Sequence, residues 1–131
     1  MEEIGGDRMT QDLDTFGRLL MKDVRDQTIS EYDGMVSGKI NSNSGKKLRA
    51  LLDQFDQDQR EAIKNIILTQ IDGAIHNFLW LIEKGGDSSF PVVLNGGIPP
   101  VDLATASDGL TGELYSDEGW IARYSMNRGT F

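Results

Sequence analysis

The chain's only histidine, His76, stands one helical turn after Asp72. A carboxylate beside an imidazole can orient the ring and favour its protonated form, the arrangement that general acid–base catalysis uses. Asn65, Thr69, Asp72 and His76 follow one another at steps of four, three and four residues. A helix would set them on one face, with Trp80 and Glu83 continuing the stripe. One reading is therefore a small enzyme with an Asp72–His76 acid/base pair. The others are a partner-binding surface, or a polar stripe that meets water or fills a gap between helix and sheet.

The rest of a catalytic site is missing from the sequence. A nucleophilic mechanism would need an activated hydroxyl, and no GxSxG elbow exists. Catalytic zinc takes three protein ligands as a rule; here only one could be imidazole, and cysteine is absent. The acidic loops lack the order of a calcium hand. Residues 37–47, SGKINSNSGKK, lack the phosphate-loop pattern, which needs Gly where Ile40 stands and Ser or Thr where Lys47 stands. No cofactor and no metal are expected.

A second constellation lies near the C-terminus, where Glu113, Asp117 and Glu118 fall close to Tyr115, Trp120 and Tyr124. Acids beside amphipathic aromatics suit an Arg- or Lys-rich protein, through ion pairs and cation–π contacts. The plainer reading is hairpin stability, since cross-strand aromatic pairs hold small sheets together. The 131 residues carry 21 acids against 13 bases, a formal charge of −8. That balance disfavours nucleic acid phosphates and anionic membranes and points to a basic protein partner. The first helix, with Asp12, Asp14, Asp23, Asp26, Glu31 and Asp33, is a solvated face or an extension of the negative patch.

The elements that must position these residues follow from periodicity. Thr10 is a candidate N-cap, with Leu13, Phe16, Leu20 and Val24 at helical spacing behind it, so a helix is expected over about 11–33. Residues 1–9 are expected to be a flexible lead-in. Ser44 can cap a second helix of about 45–55 that turns Leu48, Leu51, Leu52 and Phe55 to one side. Asp56 and Gln59 have the spacing of a capping box for a third helix over 57–84. Between Ala62 and Ile82, 13 of 21 positions are Ala, Ile, Leu, Phe or Trp, which predicts a central helix buried on more than one side. Lys64, Asp72 and His76 argue against a membrane span.

Further on, the period changes. Val92–Leu94 reads as a short buried stretch. Val101, Leu103 and Thr105 alternate with polar or small neighbours, Asp108-Gly109 is a two-residue hairpin signal, and alternation resumes over 110–115 and 120–125. Gly119 is expected to take a left-handed turn position. The sum is an α+β fold: three N-terminal helices packed on a three-stranded antiparallel meander at about 101–107, 110–115 and 120–125. The whole chain is expected to form a single domain, with 127–131 a frayed end. The N-terminus lacks a signal-peptide pattern, so the expected compartment is the cytoplasm.

The segments IDGAIHNFLWLIEK (71–84) and SDGLTGELYSDEGWIARYS (107–125) together resemble small uncharacterised bacterial families of immunity-protein type. The resemblance implies a protein that neutralises a toxin inside the producing cell, and it assigns no residue roles. Charge and resemblance converge on an acidic protein-binding module, an immunity-type inhibitor that occludes a basic, nuclease-like toxin. Glu113, Tyr115, Asp117, Glu118 and Trp120 are the candidate contact residues, with Asp72 and His76 as a second surface. The enzyme above and a homodimeric structural or adaptor protein, joined through the apolar excess of the central helix, are the alternatives.

Overall fold

A computed structural model describes residues 2–85, 92–94 and 100–127. The first rod is α1 (Glu2–Leu20), a π-helical turn (Met21–Asp26) and α2 (Gln27–Ser37), joined without a break. It begins at Glu2, well upstream of the expected Thr10 cap. It runs past the expected end near residue 33 to Ser37, where Gly38 is the C-cap with a φ of 85° that only glycine adopts readily.

The π turn corrects the expected burial pattern. At 3.6 residues per turn Val24 continues the Leu13–Phe16–Leu20 stripe and Arg25 points outward. One wide turn delays the face by about a residue. Val24 is therefore exposed, while Met21, Arg25 and Ile29 are buried.

Helix α3 (Asn43–Leu52) is capped by Ser42, not Ser44; the Ser42 hydroxyl accepts the Gly45 N–H at 3.1 Å. Helix α4 (Gln57–Gly85) starts as expected. Its capping box is reciprocal: the Gln59 N–H donates to Asp56 at 2.9 Å, and the Asp56 N–H to the Gln59 side chain at 3.0 Å.

The expected meander is absent among the described residues, and the fold is mostly helical. The described sheet is one antiparallel pair of two-residue strands, β1 (Val93–Leu94) and β2 (Val101–Asp102), with Leu94 opposite Val101. Val93 is exposed, against the buried stretch expected there. The segments read as strands are α5 (Leu103–Ala106), a 3₁₀ turn (Leu110–Glu113) and α6 (Trp120–Tyr124), so the helices are not confined to the N-terminal half.

Three local causes defeat the alternation. The Asp102 carboxylate accepts the Ala104 N–H at 3.0 Å and so starts a helical turn where a strand would continue. Leu110 and Leu114 are four apart, a spacing that puts both on one face of a strand or of a helix. Trp120 and Ile121 are adjacent and both buried, which no half-buried strand allows. Nor is Gly119 left-handed, at φ −74°. Ser116 takes the positive φ instead, and Gly119 is required because a Cβ there would collide with the Tyr115 carbonyl.

The core joins Leu13, Leu20 and Met21 of the first rod to Ile75, Leu79 and Ile82 of α4. Leu103, Leu110, Leu114, Trp120 and Ile121 close it from the C-terminal turns. Glu83 seats this lid, its carboxylate accepting the Leu110 N–H at 2.6 Å. Helix α4 is buried on one side only. Ile66, Phe78, Trp80 and Leu81 are each about half exposed or more among the described residues, against the expectation of burial all round.

Candidate functional site

Asp72 lies on the buried face of α4, where Arg25 from the π turn meets it. The guanidinium binds both carboxylate oxygens, Nε to Oδ1 at 2.6 Å and Nη2 to Oδ2 at 3.2 Å. Its Nη1 donates to the Ser125 hydroxyl at 2.8 Å and to the Asn127 carbonyl. Asp26 secures the same tail, accepting from the Ser125 hydroxyl at 2.5 Å and from the Met126 N–H at 2.9 Å. Arg25 is 0% and Asp72 2% exposed, so this network is a dry tether between the first rod, α4 and the C-terminal segment. Ion pairs at such depth persist only when every donor and acceptor is matched.

The tether separates the expected Asp72–His76 pair. With both oxygens on Arg25, Asp72 does not orient His76. The imidazole instead lies 6.0 Å from the Tyr115 ring, and its Nδ1 is buried without a hydrogen-bond partner among the described residues. The expected face of Asn65, Thr69 and Asp72 also divides, since Asp72 is buried and the other two are exposed.

Tyr115 leans back toward this region, its hydroxyl 3.5 Å from the Asp72 carbonyl. Burial raises its phenol above the ordinary 10.0; the Asp72 charge adds to the rise and Arg25 opposes it. A folded-state value above the unfolded one means stability that is complete below pH 10 and lost as pH climbs through the folded value. The difference in ultraviolet absorbance titration between wild type and Tyr115→Phe should place this phenol above 10.0. A midpoint at or below that value would contradict the assigned surroundings.

A separate open groove of about 690 Å³ lies between α1 and the C-terminal turns. Asp14, Asp108, Glu113 and Glu118 line it, against the single guanidinium of Arg123. Arg123 pairs with Asp14 at 3.0 Å, and Glu113 accepts from the Ser107 hydroxyl at 2.9 Å. Asp108 and Glu118 are exposed, as is Asp117, the chain neighbour of Glu118.

The structure thus brings Glu113 and Glu118 into one groove, with the exposed Asp117 adjacent. It separates Tyr115, which faces His76, and it removes Trp120 from any surface. Trp120 is 0% exposed, edge-on to Phe16 with ring centres 5.8 Å apart. Reading the region as a hairpin put Asp108 into a turn and hid its place in the groove. Asp14 and Arg123 join it from distant segments. Nothing in the spacing signals Arg25, because the π turn that buries it has no local signature.

Among the described residues no group of acids and histidine forms a metal cluster, and no helix is long and apolar enough to cross a membrane. No family model matches the chain, and no curated protein or solved structure matches it.

Proposed function

We propose that this protein is an acidic binding module whose groove holds a basic segment of a protein partner. The observation that carries this reading is the groove itself, four carboxylates against one guanidinium in a chain of charge −8. Walls of low dielectric concentrate the field of such carboxylates and attract an Arg- or Lys-rich segment. In its most concrete form the partner is a nuclease-like toxin. A protein that cuts nucleic acid presents a basic cleft, and an acidic groove seated over it excludes the substrate while opposite charges speed association. The contact residues in this reading are Asp108, Glu113, Asp117 and Glu118.

The test uses wild type and the triple variant Asp108→Asn/Asp117→Asn/Glu118→Gln as paired baits in source-cell lysate, eluted with rising salt. All three positions are exposed, so the variant keeps its fold. Wild type should retain a stoichiometric basic protein that leaves only as salt rises, and the triple variant should lose it at physiological salt. Nuclease activity of the captured protein, suppressed by wild type and not by the variant, would support the toxin form. Equal retention by both baits would overturn the groove assignment.

A further inference from the structure

The outward face of α4 has no occupant among the described residues. Ile66 is 61%, Trp80 49% and Leu81 52% exposed, and Gln70, Ala74 and Asn77 share that side of the helix. At its centre stands Gly73. Glycine inside a helix is less favourable than alanine. Here the chain itself gives no reason for it, since a Cβ at Gly73 would meet nothing within 4 Å. A glycine with room to spare inside its own molecule leaves space for the close approach of another one.

We propose that this face is a homodimer interface in which two copies of α4 lie antiparallel, crossing at Gly73 and Ala74. Two observations favour a second copy over a different partner. The pattern is close to a palindrome about the Gly73–Ala74 bond, with Gln70 and Asn77 at equal steps on either side and Ile66 and Leu81 at equal steps beyond. A two-fold axis there sets amide against amide and aliphatic against aliphatic, the self-complementarity that an isologous contact needs. The face from Ile66 to Leu81 also carries no charged side chain. Two copies of −8 each repel, so they can meet closely only across a neutral patch, and a basic partner finds no counter-charge here.

The area sets the strength to expect. With the axis at the Gly73–Ala74 bond, two copies of α4 overlap over residues 62–85, about 36 Å by about 10 Å, or a few hundred Å² per copy. That is below the roughly 800 Å² per partner of a standard interface, so the dimer is a weak one. The face is distinct from the acidic groove, so each copy of the dimer keeps its own groove.

The test is sedimentation equilibrium from about 1 to 300 μM, a range that reads weak association. Wild type should pass from 14.5 kDa toward twice that mass. Gly73→Ala should stabilise the fold through helix propensity yet weaken the dimer, a divergence that a purely structural glycine would not show. Gly73→Glu should stay monomeric throughout, with unchanged circular dichroism. The chain has no cysteine, so single cysteines report orientation cleanly. Ala74→Cys, at the axis, should cross-link on oxidation while Ile66→Cys should not. Wild type monomeric at the highest concentration, a Gly73→Glu variant that dimerises normally, or cross-linking of Ile66→Cys would each overturn the proposal.

Discussion

Arg25→Met should destabilise the protein by about 3–5 kcal/mol, read as a fall in the urea midpoint at constant slope. The substitution keeps most of the volume but strands the Asp72 carboxylate, 2% exposed, without its 2.6 Å partner. It also releases the Ser125 hydroxyl and the Asn127 carbonyl from Nη1. The largest part of the loss is the cost of leaving a charge buried alone. The double variant Arg25→Met/Asp72→Leu should therefore recover a large share of it, because apolar groups of similar volume replace a buried pair at little or no net cost. Recovery would be incomplete, as the C-terminal tail would keep only its Asp26 contacts. If the double variant were as unstable as the sum of the singles, the two side chains would not be coupled. The buried tether would then be wrong.

Trp120→Ala should cost about 3–5 kcal/mol, the range for emptying a fully buried indole site. Trp120 fills the space between Phe16 and Gly17, where a Cβ on the glycine would overlap the indole ring. Gly17→Ala alone should then cost about 1–3 kcal/mol through overpacking, even though alanine is the better helix former. In the Trp120→Ala background the obstruction is gone, and the same Gly17→Ala change should be neutral or stabilising. That reversal of sign, followed by circular dichroism during urea unfolding, tests the contact directly. Equal effects of Gly17→Ala in both backgrounds would show that glycine and indole do not meet. Any loss of partner binding in Trp120→Ala should scale with unfolding, since the side chain has no surface to offer.

Charge, the long apolar helix and its reciprocal Asp56–Gln59 cap were legible in the sequence because each depends on neighbours within one turn. Glu113 and Glu118 were legible as candidate contacts for the same reason, being close in sequence and acidic. The expected strands failed where the local signal is degenerate. Segments of four or five residues are too short to separate a period of 2 from one of 3.6, and burial against α4 and the first rod decided between them. The tertiary structure alone determined which face of the first rod is inside, since one π turn exchanges Val24 for Arg25. It alone assigned Asp72 to Arg25 rather than to His76, a pairing of residues 47 apart in the chain. The groove likewise depends on Asp14 and Arg123 meeting across 109 residues, a contact set by packing and invisible to any local pattern.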